Sequence, residues 1–176
     1  MTEFDFKDCN GPVPAKKHSN GGGWVADTAT VADSAYVGPD ARVFGDAEVS
    51  GNARVSDNAR VSGYARVFGN ARVYGNARVF GNARVSGSAL VAGDAWVTDN
   101  AQVFGNSRVF GYARVYGNAW VFGNAEVSGD AEVSDDAWVS GNALVSGDLT
   151  ETTSKEELDG QVMEIAGKKY KLVEVA

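Results

Sequence analysis

Few residues of this sequence could take part in catalysis or bind a metal. The chain has one histidine, His18, and one cysteine, Cys9, and both lie near the N-terminus. A histidine that acts as a general base needs a pocket and an orienting carboxylate, and the sequence places neither beside His18. Three copies of His18 on a trimer axis could bind zinc, but a place in a structural cap is the simpler interpretation. We therefore predict no catalytic residue, no metal site and no cofactor.

Arginine and aromatic residues are the remaining candidates, because they recur at regular spacing. All nine arginines directly precede a valine, and many aromatic residues directly follow one. Such residues favour strands and stack on one another, but they also bind anions and are enriched at protein interfaces. The candidate binding residues are Arg66, Arg72, Arg78, Arg84, Phe68, Tyr74 and Phe80. The candidate oligomer-interface residues are Phe104, Phe110, Tyr116 and Phe122.

A six-residue repeat positions these side chains. Valine occupies every sixth position from Val25 to Val145, and alanine follows four residues after each valine, with Ser107 as the one exception before Leu149. The commonest unit, Ala-Arg-Val-Phe-Gly-Asn, alternates buried and exposed positions as a strand with one buried face does. Glycine and asparagine best tolerate the positive φ of a tight corner. Because one such unit cannot bury its own valine and alanine, the units must stack as coils of a solenoid.

This pattern resembles the hexapeptide-repeat, left-handed β-helix family. The resemblance implies an all-β fold in which a single-stranded left-handed parallel β-helix winds three hexapeptides into each triangular coil, giving about seven coils. The nearly pure Ala-x-Val-x-Gly-Asn array is most similar to uncharacterised repeat proteins of phages and prophages. Many relatives are acyltransferases that bind acyl-coenzyme A between the subunits of a homotrimer. The repeat array here contains no histidine, cysteine, lysine or loop insertion, so it departs from the acyltransferase pattern.

The two ends of the chain lack the repeat and are expected to form caps. We divide the sequence into an N-terminal cap (1–24), the β-helix (25–149) and a C-terminal cap (150–176). The N-terminal cap is expected to be irregular, with Trp24 or Phe4 and Phe6 covering the first coil. The C-terminal cap is expected to contain a short helix from Thr153 to Leu158 and a β-hairpin from Val162 to Val175. The caps would close the open ends of the core.

The charge distribution restricts the partners of this protein. The chain has a net charge of −7, which argues against general nucleic-acid binding. Residues 41–90 carry seven arginines and three acids, whereas residues 91–149 carry two arginines and eight acids. Since no long apolar stretch and no signal peptide is visible, we expect a cytoplasmic protein without membrane contact, in the host cytoplasm if it is phage-encoded.

Three functions are compatible with these features. The first is a non-enzymatic scaffold or interaction protein that presents arginine and aromatic surfaces to a protein partner or to copies of itself, with a homotrimer favoured. The near-perfect repetition supports it, because an active site normally breaks symmetry. The second is an acyltransferase-like protein that binds acyl-coenzyme A between subunits. The third is a binder that sequesters a small anionic ligand or a nucleotide at the arginine belt, by which we mean the seven arginines of residues 41–90.

Overall fold

The computed structural model describes residues 2–148, 162–165 and 168–171. Short parallel strands alternate with two-residue corners from residue 24 to residue 148. Each strand pairs with the strand three repeats further along the chain, as Arg66 pairs with Arg84 and Val67 with Val85. Three hexapeptides therefore make one coil, and the predicted all-β parallel solenoid of about seven coils is confirmed. Its left-handed winding stays a prediction.

The strands form three faces, each with one strand from every coil. Face 1 contains β3 (Trp24–Ala26), β6 (Arg42–Val43), β9 (Arg60–Val61), β12 (Arg78–Val79), β15 (Trp96–Val97), β18 (Arg114–Val115) and the second half of β20 (Glu126–Val133). Face 2 contains β4 (Thr30–Val31), β7 (Glu48–Val49), β10 (Arg66–Val67), β13 (Arg84–Val85), β16 (Gln102–Val103), β19 (Trp120–Val121) and β21 (Trp138–Val139). Face 3 contains β5 (Tyr36–Val37), β8 (Arg54–Val55), β11 (Arg72–Val73), β14 (Leu90–Val91), β17 (Arg108–Val109), the first half of β20 and β22 (Leu144–Asp148).

The core is a column of valines with alanines towards the corners. Nearly all of these side chains are fully buried in one continuous cluster. Ser107 takes the place of one alanine, and its buried hydroxyl lies 2.9 Å from the carbonyl oxygen of Phe104 and 3.2 Å from that of Val121. The hydroxyl therefore satisfies its donor inside the core, which explains why serine is tolerated at this position.

The two corner residues of each repeat have different roles. The first residue adopts positive φ in almost every corner of the array, whether it is glycine or, as at Asp57, Asp99 and Asp135, aspartate. The second residue, most often asparagine, has no positive φ in the described array, so only the first corner residue uses the conformation that both residue types tolerate. Asparagine side chains instead donate to the side chain one coil further on, as Asn100 does to Asn118. The corners thus form hydrogen-bonded ladders that link successive coils.

The N-terminal segment is a regular hairpin, so the prediction of an irregular cap is wrong. Strand β1 (Glu3–Asp5) pairs antiparallel with β2 (Pro12–Lys17), which pairs antiparallel with the free edge of β3. Phe4, Phe6, Trp24 and Phe44 join a cluster that is separate from the solenoid core. Because Phe44 follows the inward Val43, its ring lies on the outer side of face 1, and Phe6 stacks on it at 4.9 Å. The aromatic residues therefore pack against the side of the solenoid.

The C-terminal hairpin is confirmed in its two strands. β23 (Val162–Ile165) pairs antiparallel with β24 (Lys168–Lys171). The predicted helix from Thr153 to Leu158 lies outside the described residues, and the capping role of the C-terminal segment stays a prediction. In the part of the chain that the structure describes, there is no apolar helix of the length that a bilayer crossing requires.

Candidate functional site

The outward side chains form columns along each face, with successive members three repeats apart in the sequence. The seven predicted binding residues are divided among these columns. Arg66, Phe68 and Arg84 lie on face 2, Arg72 and Tyr74 on face 3, and Arg78 and Phe80 on face 1. Only Arg66 and Arg84 are direct neighbours in register. The predicted residues therefore form a belt around the rod and do not converge on one site.

Arginines of the N-terminal half have arginines as their neighbours along the rod. Three further neighbouring pairs join Arg66–Arg84 in this half: Arg42–Arg60, Arg60–Arg78 and Arg54–Arg72. In the C-terminal half, each arginine instead has a glutamate as its next neighbour, and these pairs are Arg108–Glu126 and Arg114–Glu132. Like charges in register repel one another. Positive charge is therefore concentrated in the N-terminal half, whereas in the C-terminal half a glutamate lies next to each arginine.

The arginine column of face 1 is covered at one end by the N-terminal hairpin. Arg60 donates a hydrogen bond to the carbonyl oxygen of Phe6, and Arg42 lies 3.5 Å from the same oxygen. Burial lowers the pKa of Arg60, and the charges of Arg42 and Arg78 lower this pKa further. The Nε of Arg60 is buried and has no hydrogen-bond partner among the described residues. Face 1 therefore uses these arginines to hold the hairpin.

Aromatic rings fix several guanidinium groups without neutralising them. Arg54 lies over the ring of Tyr36 at 4.8 Å, and both Arg78 and Arg114 lie over Trp96, at 5.1 and 5.6 Å. Such contacts orient an arginine but leave its charge in place. Carboxylates bind only two of the arginines in the described chain: Glu48 lies 2.9 Å from Arg66, and Glu132 lies 2.8 Å from Arg114.

Four aromatic rings come together on face 2 in the C-terminal half. Phe104 stacks on Phe122 and Trp120 on Trp138, both with ring centroids 5.1 Å apart. Edge-to-face contacts of 5.9 and 6.2 Å join the two stacks. We call Phe104, Trp120, Phe122 and Trp138 the aromatic patch.

Only part of the predicted interface belongs to this patch. Phe104 and Phe122 lie in one column of face 2, whereas Phe110 lies on face 3 and Tyr116 on face 1. The prediction missed Trp120 and Trp138, which precede their valines. Their separation by three repeats in the sequence was the signal that places them in one column.

His18 and Cys9 lie in the N-terminal segment, outside the repeats. The His18 side chain is 7% exposed, and its Nδ1 lies 3.2 Å from the carbonyl oxygen of Asn20. Cys9 is exposed. No group of three or more histidine, cysteine or acidic residues suited to a metal ion occurs among the residues described here. His18 therefore serves a local turn in this structure.

Comparison with known proteins identifies the repeat. The family model of the YdcK β-solenoid repeat matches six stretches of the chain: 47–64, 53–69, 65–79, 77–93, 101–117 and 113–129. All six lie in the array of stacked hexapeptides, and no curated protein matches the chain. Together with the six-residue period and the coils of three parallel strands, these matches support a hexapeptide-repeat-like β-helix family for this chain.

Proposed function

We propose that this protein is a non-enzymatic interaction scaffold that associates with copies of itself through the aromatic patch on face 2. The observation that carries the proposal is the convergence of four aromatic rings on one flat face of a rigid rod. Surface patches of this kind mark interaction sites. Aromatic residues and a low content of charge are also what distinguish the centre of a protein interface.

The uncharged outward positions next to the valines of the patch favour a second copy as the partner. From Gln102 onwards, the outward positions of face 2 next to the valines are Gln102, Phe104, Trp120, Phe122, Trp138 and Ser140, and none of them is charged. A two-fold contact brings the same surface of both copies together. The whole chain carries a net charge of −7, so two copies approach most easily where their surfaces are neutral.

The orientation of the rings favours a protein surface over a flat ligand. The planes within each stack differ by only 4°, so the rings within a stack cover each other's faces. Of the four side chains, Trp138 is 45% exposed and the other three are half-buried. A base or a sugar stacks on a free ring face, whereas packed ring edges suit the apolar contacts of a protein interface.

Two other predictions about function rest on the resemblance to known families. The acyltransferase-like alternative needs a catalytic histidine, and His18 lies in the N-terminal turn with its Nδ1 against Asn20. A phage or prophage accessory role also stays a prediction, and so does the cytoplasmic location that the sequence pattern suggests. The favoured homotrimer is tested below together with the patch.

The test is the molar mass in solution, measured by light scattering at two protein concentrations. The test variant is Phe104→Ser/Phe122→Ser, and the control is Phe110→Ser/Tyr116→Ser, which removes two aromatic residues from the other faces. Serine is already present in these columns, for example at Ser86 of face 2, so the repeat accommodates both variants. One protomer has a mass of 18.4 kDa, and the measured mass is compared with whole multiples of this value.

The proposal predicts a multiple of the protomer mass for the original protein and the control, and the mass of a single protomer for the test variant. Twice the protomer mass would show the two-fold contact, and three times the protomer mass would show the trimer. A monomeric original protein would overturn the proposal. Loss of association in both variants would also overturn it, since the aromatic residues of all three faces would then contribute.

A further inference from the structure

We propose that face 3 binds a polyphosphate group between Arg54 and Arg72. The two arginines are neighbours in register on adjacent coils, and both side chains are exposed. The proposal is independent of self-association through the aromatic patch, because it concerns another face and the other half of the rod.

The surroundings of the pair favour an anion with more than one charged group. Adjacent strands lie about 4.8 Å apart, so the two guanidinium groups can contact successive phosphates of one chain. The column continues with Tyr36 on one side and Leu90 on the other, so no carboxylate lies next to the pair in this column. Arginine binds phosphate through paired, charge-assisted hydrogen bonds. One phosphate would satisfy one arginine, whereas a polyphosphate can satisfy both.

The contact with Tyr36 prepares one of the two arginines for binding. The Arg54 guanidinium lies 4.8 Å from the centre of the Tyr36 ring, and this contact restricts the guanidinium without using its charge. Beside the pair, the outward positions that follow the valines are Ser56, which is small, and Tyr74, whose side chain is 37% exposed. A ligand can therefore approach the arginines past Ser56, with the Tyr74 ring beside Arg72.

The arginines of the C-terminal half provide a comparison, because they have acidic neighbours. Arg108 and Arg114 each have a glutamate in register, and Arg114 forms an ion pair of 2.8 Å with Glu132. Arg54 and Arg72 form no ion pair with any residue that the structure describes. Because like charges in register destabilise a sheet, the Arg54–Arg72 pair is most stable when an anion neutralises it.

The arginine pairs of the other two faces are less accessible to a ligand. On face 1, Arg60 donates to the carbonyl oxygen of Phe6 in the N-terminal hairpin. On face 2, Arg66 forms an ion pair with Glu48. Face 3 is thus the face on which a neighbouring pair of arginines is exposed and free of acidic partners in the described chain.

The experiment is a calorimetric titration at low salt with inorganic tripolyphosphate, repeated with ATP. The test variant is Arg54→Gln/Arg72→Gln, because glutamine occurs naturally at the equivalent position Gln102. The control is Arg108→Gln/Arg114→Gln, which changes the net charge by the same amount. Two charge-assisted contacts are worth about a hundredfold in affinity or more. We therefore expect the test variant to lose about that factor for tripolyphosphate and the control to bind like the original protein.

Thermal unfolding without ligand gives a second readout. The test variant should melt at nearly the same temperature as the original protein, because it removes both a repulsive pair and the cation–π contact of Arg54 with Tyr36. The control should melt at a lower temperature, because it breaks the ion pair of Arg114 with Glu132. Tripolyphosphate should raise the melting temperature of the original protein and of the control, but not that of the test variant.

Three results would overturn the proposal: no binding to the original protein, an equal loss of affinity in both variants, or undiminished affinity in the test variant. An equal loss would show that only the summed charge of the rod attracts the anion. Equal affinities for tripolyphosphate and ATP would support a site for the phosphate chain alone. Tighter binding of ATP, lost in the test variant, would support a nucleotide as the source of the polyphosphate group.

Discussion

The two residues of one corner, Gly81 and Asn82, should respond very differently to alanine. Gly81 has a φ of +69°, and a Cβ added there would lie 2.8 Å from the backbone nitrogen of Asp99 in the next coil. The left-handed conformation costs a residue with a side chain about 1–2 kcal/mol. The close contact with backbone adds about 1–3 kcal/mol, as overpacking does. Gly81→Ala should therefore lower the free energy of unfolding by about 2–5 kcal/mol.

Two comparisons separate these contributions. Gly141 has nearly the same φ, +66°, but a Cβ there meets no described atom within 4 Å. Gly141→Ala should therefore cost only the conformational part, about 1–2 kcal/mol. Asn82 is exposed and donates one hydrogen bond of 3.3 Å to Asn100, so Asn82→Ala should cost about 1 kcal/mol or less.

The assay is unfolding in urea, followed by circular dichroism. With a slope of about 1–3 kcal/mol per molar urea, a loss of about 3 kcal/mol moves the midpoint by about 1 M or more. The expected order of destabilisation is Gly81→Ala, then Gly141→Ala, then Asn82→Ala. If Asn82→Ala cost as much as Gly81→Ala, the assignment of the conformational demand to the first corner residue would be refuted. Equal costs of the two glycine variants would show that stacked coils do not restrict the corner.

Three further substitutions test the core, the hairpin and an aspartate corner. Ser107→Ala should change the free energy of unfolding by about 1 kcal/mol or less in urea, since it removes one hydroxyl bond but restores the alanine of the repeat. Phe6→Ala should cost about 3–5 kcal/mol of hairpin docking, because Phe6 is 1% exposed, and limited proteolysis should then cleave the N-terminal segment while the repeats resist. Asp99→Ala should be about 1 kcal/mol less stable than Asp99→Gly in the same urea assay; both lose the bond from the Gly117 amide, and only alanine keeps the strain at φ +57°.

The sequence predicts the solenoid because the core depends on one period. Inward valine and alanine recur every six residues without interruption, so the strand pattern and the corner positions follow directly from the repeat. The register between coils needs only the number of sides, which the resemblance supplied. With that number, the sequence alone identifies two pairs of neighbours that lie three repeats apart: Arg54 with Arg72, and Trp120 with Trp138. The belt and the patch are therefore properties of columns rather than of consecutive repeats.

The N-terminal hairpin could not be predicted in the same way, because it has no repeat. β2 contains Pro12 and Pro14, which argue against a strand in the middle of a sheet. The strand nevertheless forms, because the residues that pair with β3 are Ala15 to Lys17, whereas Pro12 and Pro14 lie opposite β1. The burial of Phe6 depends on Phe44, which is far away in the sequence. Contacts between a non-repetitive segment and the side of the rod depend on tertiary packing, and no sequence period predicts them.

The uniform core leaves the outward columns as the places where this protein can differ from any other solenoid. Substituting an outward residue changes little of the buried valine column, so the belt and the patch can vary independently of the fold. The patch lies on face 2 in the C-terminal half, while Arg54 and Arg72 lie on face 3 in the N-terminal half. Self-association and polyphosphate binding therefore use separate surfaces. Phe104→Ser/Phe122→Ser should leave the affinity for tripolyphosphate unchanged, and Arg54→Gln/Arg72→Gln should leave the molar mass unchanged, so that either proposal can fail without the other.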